Sequence, residues 1–353
     1  MKRKSFFDCV NIAKLLLAVS IVAMHSGFVP TQSPYMTMVC RLGVPYFFVA
    51  SGFFLQRKCA ESPLSLAVKG YVKRLLLPYA VFSVVWIIQL LIDDAIAQIG
   101  LLEAALKLLQ YLLFYPRGAL WYVWASIIGV LMLYPFMKRN KLIHALPLGI
   151  LLFAVGLLAN NYYFIAESRA WLKPIVDGYL NIFLVSNNAP FVAFVFLLMG
   201  MLMSEYYDKL VLKISFISGL FLCAVSCALL VYENSIIASK SVSVGDGAFY
   251  LSQLVYVPAV FYLTTRIPCP HLSSHISRTA KNLSTGIYFL HVPILWIIHR
   301  SATYALPHIP GLSRIAPLFD HASVCFSCCL ALCLIICLLA YRHPKSFLCK
   351  ILK

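Results

Sequence analysis

With 353 residues, 62% of them hydrophobic and 12% charged, the chain is too apolar for a soluble domain, in which about 25% of residues are charged. Its mean hydropathy of +0.87 leaves a polytopic membrane protein as the class. The net charge of +17 is not a nucleic-acid signature, because the basic residues are spread between apolar stretches and not gathered on one patch.

Apolar stretches recur at 10–29, 38–56, 75–97, 118–137, 142–160, 189–207, 211–232, 246–265, 283–300 and 320–341. At about 20 residues per crossing, they predict an all-α membrane bundle of about ten transmembrane helices. The first stretch lacks a small-residue cleavage site and is expected to be a retained helix rather than a signal peptide. A cytoplasmic N-terminus would put about 20 Lys and Arg residues inside, from Lys2, Arg3 and Lys4 through the 57–74 loop to Lys353. Seven would lie outside: Lys107, Arg117, Arg169, Lys173, Lys240, Arg300 and Arg314. That asymmetry predicts that both termini are cytoplasmic. No polar block between the stretches is long enough for a separate soluble domain, so residues 1–353 read as one membrane-embedded domain.

Within the first stretch, Lys14 and His25 interrupt an apolar run. Eleven helical residues make roughly three turns, which puts both side chains on one face about 16 Å apart along the axis. Ionisable residues inside a span are costly and line cavities or partner helices. His25 has two readings: a general base taking a proton from a hydroxyl, or a histidine bonded to a neighbouring helix. Lys14 either snorkels to the cytoplasmic boundary or holds an anionic group entering from that side.

Arg41 opens the second stretch. Pro45 removes a helical donor there, while Gly43, Ser51 and Gly52 permit close approach, so a kinked helix is expected. Arg41 then either faces a cavity or snorkels outward. The following loop is basic, with Lys69, Lys73 and Arg74 together. The segment 98–117 reads as an amphipathic interfacial helix carrying Glu103 and Lys107 at an i,i+4 spacing. Residues 160–188 read as a cap over the bundle.

Trp121 and Tyr122 fit an aromatic belt at the start of the fourth span. Ser284, Tyr288 and His291 form one polar stripe on the ninth, either a proton-handling site or a structural network. The twelve cysteines include Cys325, Cys328, Cys329, Cys333 and Cys337 in the last span; their apolar neighbours favour helix filler over a metal site. No metal is expected. Phosphate-loop, zinc-protease and serine-hydrolase motifs are absent.

Taken in order, these pieces resemble integral-membrane acyltransferase family 3. Lys14 and His25 match a basic residue, ten intervening residues and a histidine in its first helix. Val44 to Gly52 matches a Val-Pro-x-Phe-Phe-x-x-Ser-Gly pattern. The basic run before Pro78-Tyr79 matches as well, with Leu120-Trp121-Tyr122, Leu198-Met199-Gly200 and the stretch from Ser284 through Tyr288 and His291 to Pro293. Lys14 stands where many relatives carry arginine, Asn11 where many carry aspartate, and Tyr71 at the first position of a common Arg-x-x-Arg pair. A point charge grips phosphate differently from a guanidinium fork.

The resemblance implies a membrane-bound O-acyltransferase of the bacterial cytoplasmic membrane. The acyl group, expected to be acetyl, would pass from acetyl-CoA to a hydroxyl of a cell-envelope glycan or lipid-linked sugar. His25 would be the base and Lys14 its companion. Lys69, Lys73 and Arg74 would meet the CoA phosphates, and Arg41, Trp121, Tyr288 and His291 would contact the acceptor. The alternatives are a transporter of a small polar solute such as an amino acid and a non-catalytic scaffold.

Overall fold

The computed structural model describes residues 7–30, 33–114, 116, 118–240, 244, 247–269, 273–309 and 312–352. Lys2, Arg3, Lys4, Arg117 and Lys353, which enter the charge count, lie outside the described residues. Every regular element among the described residues is helical. The helices in chain order are α1 (Asp8–His25), α2 (Gly43–Glu61), α3 (Leu64–Ile96), α4 (Leu101–Leu113) and α5 (Leu120–Lys138). Then come α6 (Leu146–Leu157), α7 (Tyr163–Glu167), α8 (Lys173–Phe183), α9 (Phe194–Glu205) and α10 (Tyr207–Lys213). The last are α11 (Phe216–Ser239), α12 (Gln253–Arg266), α13 (Ser274–Arg300), α14 (Ala322–Arg342) and α15 (Phe347–Ile351).

Six segments among the described residues are long and apolar enough to cross a membrane: α1, Met36–Glu61, α3, α5, α11 and α14. A seventh is reached if α9 and α10, bent by 76° at their junction, count as one span. The other predicted stretches give the shorter helical run Leu142–Leu157, the 14-residue α12, and α13, whose first turns carry His275, Arg278 and Lys281. The expected interfacial segment forms α4. Its Leu101, Leu102, Leu106 and Leu109 are exposed, and Lys107 is tied to the buried Asp94 of α3 at 2.6 Å.

The chain divides into two compact units. The first holds the described residues up to Gly43 and those from Ile267 onward. Its centre is the pairing of α1 with α13. Asn11 Nδ2 donates to Ser277 Oγ at 2.9 Å, and His25 meets His291 with ring centroids 5.3 Å apart. Both pairs have the same sequence separation, so the two helices run parallel and in register over fourteen residues, or two heptads. Midway, the register sets Ala18 against Ser284, both small and buried. On α14, Cys325, Cys329, Cys333 and Cys337 are buried at four-residue spacing, and Cys329 Sγ donates to the His291 carbonyl at 3.6 Å. The cysteines are packing residues along that helix face.

The second unit spans 44–266. In it α2 crosses α9 at Gly52 and Gly200. A Cβ on Gly52 would collide with the Leu197 carbonyl, and one on Gly200 with the Val49 carbonyl, so neither position admits a side chain. In segment 160–188, Tyr163 Oη donates to Asp177 at 2.5 Å, and Lys173 Nζ donates to both Asp177 (2.7 Å) and Tyr163 (3.0 Å).

Candidate functional site

From Asp8 to His25, α1 contains neither glycine nor proline, so nothing interrupts it. It stops where Gly27 takes a positive φ of 75° and the Val29 N–H returns to the Ala23 carbonyl at 3.2 Å. His25 is therefore the last residue of the helix, and it is exposed. Lys14 lies half-buried on the same helix.

His291, on α13, is 1% exposed. Its Nδ1 lies 3.1 Å from the Ile287 carbonyl oxygen, and its Nε2 has no hydrogen-bond partner among the described residues. The Tyr288 ring lies 6.0 Å from that of His291. A buried polar atom left without a partner costs about 1–3 kcal/mol, and the Nδ1 contact with the Ile287 carbonyl is what anchors this ring. Along the α1–α13 seam the His25 and Tyr288 rings both lie beside that of His291.

Arg41, half-buried, follows a π-helical turn at Met36–Cys40, and its N–H bonds the Met36 carbonyl at 2.9 Å. Single π turns often mark functional sites. The expected proline kink is not what bends the chain. The break falls at Arg41 and Leu42, and Pro45 occupies the first turn of α2, where its missing N–H is tolerated.

The remaining predicted residues belong to the second unit. Lys69, Lys73 and Arg74 are exposed on the first half of α3. The Arg74 guanidinium lies 5.7 Å from the ring centre of buried Tyr71. Tyr71, read from sequence as a departure, is thus a platform for that cation. Trp121 is half-buried between Phe48 (6.0 Å) and Phe249 (6.3 Å), an aromatic packing position. The Tyr122 hydroxyl lies 3.0 Å from Ser51 Oγ and donates to the Phe47 carbonyl at 3.3 Å. The sequence suggests close helix approach at Ser51 and an aromatic belt at Tyr122, but nothing in it joins two residues so far apart. Among the described residues, no three His, Cys, Asp or Glu side chains converge as a metal site.

Several long apolar helices make this a multi-pass membrane protein. A family model described as "Acyltransferase domain" matches residues 7–343, nearly the whole chain, and the protein belongs to acyltransferase family 3. The chain is also similar to a protein of Enterococcus faecalis named amino-acid racemase, 25% identical over 213 residues. That match covers 58% of this chain and 29% of the relative, so this chain corresponds to well under half of that protein. No solved structure matches.

Proposed function

We propose that the protein transfers an acyl group, acetyl in the simplest case, from acyl-CoA to a hydroxyl of a cell-envelope glycan or lipid-linked sugar. Family membership over residues 7–343 supports acyl transfer. The observation that carries the site is His25, an exposed imidazole ending an apolar helix and backed by a second, buried imidazole. His25 takes the acceptor hydroxyl's proton as the oxygen attacks the thioester carbon. The C–O bond forms, the C–S bond breaks, and His25 returns the proton to the departing thiolate.

Lys69, Lys73 and Arg74 bind the phosphates of the acyl-CoA donor. The exposed guanidinium of Arg74, held over Tyr71, suits bidentate phosphate contact. Lys14 holds an anionic donor group further along α1. Arg41, Tyr288 and His291 are assigned to the acceptor's surroundings, and Trp121 to acceptor orientation. The chain works as one membrane-embedded domain of about ten transmembrane helices in the bacterial cytoplasmic membrane, with both termini cytoplasmic, and α4 lies in the interface.

Solute transport is the second reading, favoured by the ionisable residues along α1. Membranes carrying the protein, given acetyl-labelled acetyl-CoA and envelope glycan from the native host, separate the two. Acyl transfer consumes the donor and leaves label bound to glycan; transport moves labelled solute with neither change.

A further inference from the structure

We infer that His291 is a positioning residue for His25, holding its ring by accepting one N–H at Nε2. The inference rests on the reading of His25 as the base. The Ile287 carbonyl, 3.1 Å from Nδ1, can only accept a hydrogen bond, so Nδ1 of His291 carries the proton. In a neutral ring Nε2 is then a lone pair. It is buried, and no described residue donates to it.

A neighbouring ring that can donate is that of His25, at 5.3 Å between centroids and tilted by 34°. Two imidazoles joined by one N–H···N bond have centroids about 5 Å apart, since the bond spans about 2.9 Å and each nitrogen sits roughly 1.1 Å from its ring centre. A turn of the exposed His25 ring closes that bond. Catalytic hydrogen bonds are commonly loose without substrate and tighten in the complex.

The consequence is a fixed tautomer. One His25 nitrogen donates to His291, and the other keeps its lone pair for the acceptor hydroxyl. When His25 takes the hydroxyl proton, its second N–H stays bonded to Nε2 until the proton passes to the thiolate leaving group. His291 thereby fills, with a neutral ring, the orienting place that a carboxylate fills beside the base of a serine-protease triad. The Cys329 thiol on the His291 carbonyl and the Ile287 bond fix the residue that does the holding.

Two variants test this. His291→Phe keeps the ring volume and removes the acceptor; His291→Gln restores an acceptor oxygen near the position of Nε2. With acetyl-labelled acetyl-CoA and native-host envelope glycan, kcat of His291→Phe should fall about 100-fold with KM for acetyl-CoA unchanged. His291→Gln should recover at least about tenfold of that loss. Wild-type kcat in His291→Phe overturns the proposal, as does a Gln variant no faster than Phe, or a failure of both to fold, which would make His291 structural. Loss of ester formation by the wild-type chain itself would instead remove the reading of His25 as base, and this inference with it.

Discussion

Asn11 and Ser277 meet across 2.9 Å fourteen residues before His25 meets His291, in the same register on two parallel helices. Fourteen residues are about 21 Å of helix, so the pairing holds its register over two heptads. His25 thus stands at one end of a seam whose middle holds two small buried residues, Ala18 and Ser284.

Enlarging that middle should disturb the site without touching it. Ala18→Leu adds volume where Ala18 and Ser284 are both buried, and overpacking of this kind costs about 1–3 kcal/mol. Melting temperature in detergent should fall and acyl transfer should drop with it. Unchanged stability would mean that α1 and α13 are not packed this closely at Ala18.

The individual helix faces were legible in the sequence, but their partners were not. The single face shared by Lys14 and His25 follows from a helical period of 3.6, and so does the stripe of Ser284, Tyr288 and His291. That these two faces meet depends on packing between segments more than 250 residues apart, which no local pattern encodes. Pro45 was misread because the same proline can kink a helix or start one; the choice was made by the turn at Arg41 and Leu42. Lys107 had a sequence-local partner in Glu103, yet its 2.6 Å bond is to Asp94, across a change of helix.

At the crossing of α2 and α9, Gly52 and Gly200 each lie beneath the other helix's backbone carbonyl. Gly52→Ala or Gly200→Ala must push the helices apart or break the crossing. The expected loss is at least about 1–3 kcal/mol, read as a lower melting temperature and reduced membrane accumulation. Wild-type stability in both variants would contradict the crossing.

Removing the exposed guanidinium should weaken the donor alone. For Arg74→Ala, loss of a charge-assisted phosphate contact worth about 1.5–3 kcal/mol predicts KM for acetyl-CoA raised roughly 10- to 100-fold, with kcat little changed. Tyr71→Leu removes the ring beneath Arg74 and should raise KM by a smaller factor. A kcat effect without a KM effect would take Arg74 out of donor binding.

The lock at Tyr163, Lys173 and Asp177 carries a pH dependence of definite sign. The hydrogen bond from Lys173, and then that from Tyr163, holds the Asp177 carboxyl below its ordinary range. The Asp177 bond and then the Tyr163 bond push the Lys173 amine up. The lock's contribution is therefore present above about pH 4 and lost as pH falls through the lowered value of Asp177. For Lys173 it is present below about pH 10.4 and lost as pH rises through its raised value. Amide exchange across 163–177, corrected for intrinsic rates, should stay flat between these limits and quicken in acid. Asp177→Asn should abolish the acid response; identical profiles for the two proteins would rule the lock out.

In the proposed reaction His25 takes a proton from an acceptor hydroxyl during acyl transfer. The direct measurement gives acetyl-labelled acetyl-CoA and native-host envelope glycan to membranes holding the wild-type chain, His25→Ala at equal abundance, or an empty vector. Ester is counted as label released by mild alkali. Ester should form with the wild type, and His25→Ala should give background label. Equal ester from both would contradict His25 as the base, and background label from the folded wild type would contradict acyl transfer to that acceptor.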